Sequence, residues 1–253
     1  MVTLNQDQWN LVYNVFSFGL ISMLACTVYT LVSQARVLPK YRNALVMSSM
    51  VTFIAGYHYW RIFNSFSESS DMMKVNISGA EGSFNEAYRY VDWLLTLPLL
   101  LVEVIAVLAL AKEVSKSLIM RLVPASAAMI ALGYPGEIST DQNTQVIYGV
   151  LSTLPFLYIL YVLFVELTKS LDRQPAGVAD TVKRLRLLLI ATWGVYPISY
   201  ILGMGAGDPT ADQFVGVQVG YTIADILAKC VFGLTILKIA RMKSHAEGMA
   251  ADH

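Results

Sequence analysis

Charge is scarce in this chain of 253 residues: 14 % are Asp, Glu, Lys or Arg, where soluble domains run nearer a quarter. The net charge is zero, so partners cannot be inferred from it, and only the positions of the charges are informative. Cysteine is nearly missing. Cys26 and Cys230 both lie inside apolar runs, which excludes a disulfide framework or a cysteine metal site and leaves two core residues. The opening MVTLNQDQWN has neither the basic stretch nor the small-residue cleavage site of a signal peptide, so any leader is expected to be already removed or never present.

What the chain has instead is hydrophobicity, at 56 % of residues. About 20 apolar residues span a bilayer. On that ruler seven segments cross: 9–33, 43–64, 85–111, 117–136, 143–168, 184–205 and 213–240. The expected fold is an all-α membrane bundle of seven transmembrane helices, forming one domain over 1–253 with no room for a separate soluble one. Linkers are short except SFSESSDMMKVNISGAEGSF, which is polar, carries glycines and has room for a short hairpin lying over the protein.

Fourteen of the eighteen Lys and Arg follow segments one, three, five and seven, from Arg36 through Lys243. The positive-inside rule makes that side cytoplasmic and puts the N-terminus outside. Of the other four, Lys74 lies in the outer loop, while Arg61, Arg89 and Lys229 lie within spans.

An ionisable side chain at mid-bilayer costs about 3 kcal/mol and is usually functional. In VGYTIADILAKCVFGLTILKIA, Asp225 and Lys229 are one helical turn apart on one face. A neutralising ion pair is one reading. The other is an amine poised to form a Schiff base with a carbonyl cofactor, with Asp225 in its counterion. Segment three, RYVDWLLTLPLLLVE, supplies Arg89, Asp92 and Glu103. Eleven residues of helix separate the two carboxyls by about 16 Å on nearly one face, which is the layout of a proton path with Glu103 stranded on the cytoplasmic side. Tyr90 and Trp93, with Trp193, Tyr196 and Tyr200 of segment six, bracket the lysine from two helices and suggest a slot for a flat apolar ligand. Any one of them alone would be read as core.

RYVDWLLTLPLL, WGVYPISY and DILAK resemble the third, sixth and seventh helices of microbial (type 1) rhodopsins. GYHYWRIFNS and ALGYPGE resemble the proteorhodopsin and xanthorhodopsin group, and within it most the cyanobacterial gloeorhodopsin type. The resemblance implies all-trans retinal bound to Lys229 as a protonated Schiff base, in a pocket that takes in Pro197 and Leu100. Leu100 matches a position where leucine goes with green absorption. Asp92, Thr96 and Glu103 match the acceptor, threonine and donor positions of outward proton pumps, which makes the chain a transporter rather than an enzyme. Chloride pumps, sodium pumps and sensory rhodopsins depart at these positions. The resemblance also implies a hydrogen bond from His58 to Asp92, although a lone histidine on an apolar helix is more often a satisfied core group. The outer glutamate pair of bacteriorhodopsin finds no match, because its inner member falls at Val217. Gly149, otherwise a packing glycine, matches the position that opens a window for a hydroxylated carotenoid antenna. The expected surroundings are membrane lipid and a homo-oligomer, with protons as cargo and neither nucleic acid nor an obligatory transducer. A retinal photosensor that signals to a partner, and a chromophore-free transporter with a structural Lys229–Asp225 pair, remain the alternatives.

Overall fold

A computed structural model describes residues 1–71, 73–77, 82–139, 141–175, 177–203 and 209–249. The chain folds into a bundle of seven helical rods. The first five are single helices: α1 (Gln6–Val32), α2 (Pro39–Ser69), α3 (Ala87–Leu108), α4 (Lys112–Glu137) and α5 (Gln142–Ser170). The sixth is broken into α6 (Val178–Trp193) and α7 (Val195–Gly203). The seventh runs as α8 (Ala211–Asp225), one π-helical stretch (Ile226–Val231) and α9 (Phe232–Ala246). Residues 204 and 205, the expected end of the sixth segment, lie outside the described residues.

Several helices run past the apolar stretches that reveal them. Helix α2 begins at Pro39 rather than 43, since proline suits the first helical turn, where its missing N–H costs nothing. The sixth rod starts at Val178, well before the expected 184, and the charged Asp180, Lys183 and Arg184 in its first two turns hide that start from hydropathy. It breaks at Gly194 because Pro197 cannot donate to the turn before it. Side-chain caps hold several other starts: Asn5 and Gln8 form a capping box on α1, as do Thr210 and Gln213 on α8, and Asp141 accepts from the Thr144 N–H on α5.

The expected hairpin forms. Strands β2 (Ser70–Asp71) and β3 (Lys74–Val75) pair antiparallel, and β1 (Val2–Thr3) joins the other edge of β3 in the order β1-β3-β2. Below it, Phe16, Phe66, Phe84 and Phe214 pack ring on ring.

The interior holds two apolar clusters. One joins α1, α2, the strands and the start of α8; the other joins α3 to α6 with α9 and the start of α2. Ala228 belongs to the second and Cys230 to the first, so Lys229 sits where they meet. Outward faces are apolar too, with Phe18, Ile21 and Val28 exposed on α1 and Ile147, Val150 and Leu154 on α5. A surface of that kind belongs in lipid, and the protein is a multi-pass membrane protein. Among the described residues, four helices are long and apolar enough to cross a bilayer by themselves.

Candidate functional site

The Lys229 ammonium lies 2.7 Å from Asp92 Oδ2 and 2.7 Å from Asp225 Oδ1. All three side chains are buried. Lys229 stands in the π-helical stretch; an inserted residue of this kind is frequent at functional sites. Asp225 is heavily hydrogen-bonded. Tyr59 donates to Oδ2 at 2.8 Å, while Tyr196 and the Trp93 indole donate to Oδ1 at 2.7 and 3.3 Å. Asp92 has less: its Oδ1 finds no hydrogen-bond partner among the described residues. The asymmetry leaves both Asp225 oxygens engaged and one Asp92 oxygen uncommitted.

Arg89, also buried, supplies the second positive charge, so two cations face two carboxylates and the cluster is neutral. That balance is what makes burial of four charges tolerable. Arg89 does not reach the carboxylates directly. Its Nη2 donates to Gln218 Oε1 at 2.6 Å, and among the described residues it forms no ion pair.

One sequence expectation meets a different geometry. The expected hydrogen bond from His58 to Asp92 is not made: Nδ1 stands 3.9 Å from Asp92 Oδ1, beyond hydrogen-bond range. Instead Nδ1–H donates to the Ile54 carbonyl at 2.9 Å, one turn back on its own helix. The Thr96 hydroxyl is likewise spent locally, donating to the Asp92 carbonyl at 2.8 Å. It fixes the helical turn that carries Asp92 rather than the carboxylate itself.

Lys229 opens into an elongated apolar cavity lined by Tyr90, Trp93, Thr96, Leu100, Gly149, Trp193, Tyr196, Pro197 and Tyr200. The break before Pro197 lets Trp193 and Tyr196 both face it from the two halves of the sixth rod. Trp93 stands edge-on to Tyr196 and Tyr221, at 4.9 and 5.5 Å between ring centroids. A flat, largely apolar molecule with one carbonyl end fits this donor set: aromatic walls along its length and one buried amine at the end. Met129, Ile130 and Gly133 of α4 and Ser152, Thr153 and Phe156 of α5 complete the lining. Sequence reasoning missed these, since none is charged and each is an ordinary helix residue. It also missed Tyr59 and Gln218, which only the fold brings to Asp225 and Arg89.

At Gly149 the cavity meets the surface. This glycine is half-buried, beside the exposed Val146 and Val150. The Tyr200 ring closes over it, so a Cβ at 149 would lie 2.8 Å from Tyr200 Cε1, and the Tyr200 hydroxyl donates to the Gln145 carbonyl at 2.7 Å.

Glu103 is separate from the ion cluster. It is fully buried, and neither carboxyl oxygen has a hydrogen-bond partner among the described residues. Its neighbours are Ser48 of α2 and Gly233 of α9. A Cβ at Gly233 would overlap the Ser48 hydroxyl and lie 3.7 Å from Glu103 Oε1.

The chain matches known proteins over most of its length. Residues 10–242 match the family described as bacteriorhodopsin-like protein. The chain is 31 % identical over 235 residues to the green-light absorbing proteorhodopsin of Gamma-proteobacterium EBAC31A08, covering 92 % of this chain and 88 % of that one. It is similar to the crystal structure of xanthorhodopsin, described as a light-driven ion pump with dual chromophore. There the TM-score is 0.91 and the identity 43 %, over 99 % of this chain and 100 % of that one. For the crystal structure of thermophilic rhodopsin the values are 0.90 and 40 %, over 98 % and 100 %.

Proposed function

The chain belongs to the bacteriorhodopsin-like family, in its proteorhodopsin and xanthorhodopsin group, and on that premise we propose that it is a light-driven outward proton pump. The observation that carries the reading is the pairing of two differently housed carboxyls on α3. Asp92 is 2.7 Å from the buried Lys229 amine, and Glu103 is buried without a partner. A photosensor would have no need of the second.

All-trans retinal joined to Lys229 as a protonated Schiff base supplies the light absorption and a change of shape. The residues of the chain do the rest. Lys229 presents its proton to Asp92 and Asp225. Asp225, held by Tyr59, Tyr196 and Trp93, stays charged and keeps the nitrogen aimed. Asp92 accepts the proton, because its Oδ1 is uncommitted. Glu103, neutral at rest because an unpaired charge is costly in apolar surroundings, gives its proton to the Lys229 nitrogen and refills from its own side. The basic loops place that side in the cytoplasm and the N-terminus outside. Moving one charge against 100 mV costs about 2.3 kcal/mol, which light supplies.

The half-buried Gly149 supports a hydroxylated carotenoid packed against Tyr200 as an antenna. The chain acts in the cell membrane, as a homo-oligomer in lipid, without an obligatory transducer.

Cells producing the chain and supplied with retinal are expected to acidify an unbuffered medium in light. A protonophore should abolish the effect, and Lys229→Ala should give colourless, inactive protein. No pH change, or alkalinisation, would refute outward pumping.

A further inference from the structure

The transported proton must still travel from Asp92 to the outside, and the outer end of the bundle carries an unusual chain of contacts. Arg89 is enclosed by rings, its guanidinium 5.6 Å from the Phe16 centroid, 5.3 Å from Tyr221 and 6.0 Å from Tyr59. Cation–π contacts of this kind hold a guanidinium in place. From there Nη2 donates to Gln218 Oε1 at 2.6 Å, and Gln218 Nε2 donates to Glu86 Oε1 at 2.5 Å. Gln218 is buried, while Glu86 is only partly so. Glu86 occupies the N-cap position of α3 yet makes no capping bond. Its carboxyl reaches across to α8 instead, although N-cap side chains ordinarily satisfy their own helix.

Taking the pumping reading as its basis, we propose that Glu86, tied to Arg89 through Gln218, is the group that hands the transported proton to the outer medium. Asp92 returns to its anion by giving up the proton. Glu86 takes it on one oxygen and then loses it to the medium. One proton leaves the Lys229 nitrogen and one arrives outside; Asp92 and Glu86 each gain and lose one. Gln218 carries no proton. It fixes the carboxyl and couples it to Arg89. The other nearby carboxylate, Glu137 of α4, accepts from Tyr90 at 3.2 Å and has no hydrogen bond to Arg89 or Gln218.

The test is flash excitation of the retinal-loaded protein in vesicles. A pH dye in the medium reports release, and the Asp92 carboxylic-acid infrared band reports the state of the acceptor. In Glu86→Gln both proton appearance and loss of the Asp92 band are expected to slow at least tenfold, with colour and initial deprotonation of the Lys229 nitrogen unchanged. Gln218→Met, which leaves Glu86 in place, should give the same delay. Asp212→Asn, an exposed carboxylate near the start of α8, should give none. Release from Glu86→Gln with unaltered timing would overturn the proposal, as would the same delay in Glu137→Gln with Glu86→Gln normal. If the unmodified protein moved no proton in light, the pumping reading would fall and this assignment with it.

Discussion

Asp92 and Glu103 lie on one helix, both buried, and differ in what surrounds them. Asp92 faces an amine and a second carboxylate; Glu103 faces a serine and a glycine. Glu103→Gln should therefore slow return of a proton to Lys229 by a factor of ten or more, while leaving its departure unchanged, because donor and acceptor are separate groups. Azide, a small diffusible proton carrier, should restore much of the rate. Unchanged kinetics by flash absorption would remove Glu103 from the path. Neutralising Asp92 takes away the negative charge nearest Lys229. Acid titration should therefore move the visible band to the red, and Asp92→Asn should fix the shifted colour and stop transport. These carboxyls and Lys229 were legible in the sequence because a charge in an apolar run stands out by its cost. The contacts that distinguish them were not. Tyr59 and Gln218 are ordinary polar residues until the fold sets them beside Asp225 and Arg89, and the local bonds of His58 and Thr96 run to backbone carbonyls that every helix offers.

Helix α3 ends in a clamp that hydropathy could not reveal. Ala109 takes a left-handed conformation just past the last turn, and Lys243 of α9 donates to the Val107 and Leu108 carbonyls at 3.1 and 3.0 Å. A cation at a helix C-terminus satisfies orphan carbonyls and complements the helix dipole. Close by, Tyr41 donates to Glu247 at 2.6 Å and Lys40 pairs with it; together they hold that carboxyl below its usual range. Lys243→Met should cost about 1–3 kcal/mol through the stranded carbonyls. It should appear as a lower melting temperature of the visible band, with faster amide exchange in the last turn of α3; an unchanged melt would make the clamp incidental. On α5, an indole at 149 must displace the Tyr200 ring, since even a Cβ lies 2.8 Å from it. Gly149→Trp should thus abolish energy transfer from an added hydroxylated carotenoid, read as loss of its bands from the excitation spectrum, and keep the green-light response. Carotenoid bands that survived would place the antenna elsewhere. The seven rods were readable from apolar length. The break at Gly194 has its signal in Pro197, three residues on, whereas the π turn at Lys229 has none, because no residue type marks it.

Across the whole molecule, two apolar clusters close on a single charged layer, with Glu103 embedded on one side of it and the Arg89–Gln218–Glu86 chain leading away on the other. In the proposed pump that division provides an entry and an exit, with the basic loops on the entry side. The proposed pump requires that light move a proton from Lys229 to Asp92. Flash-induced infrared difference spectroscopy of the retinal-loaded protein tests it most directly. A protonated-carboxyl band is expected to rise with the same time constant as the loss of the proton on the Lys229 nitrogen, present in the unmodified protein and absent from Asp92→Asn. A band that persisted in Asp92→Asn, or a Lys229 nitrogen that lost its proton with no carboxyl gaining one, would contradict it.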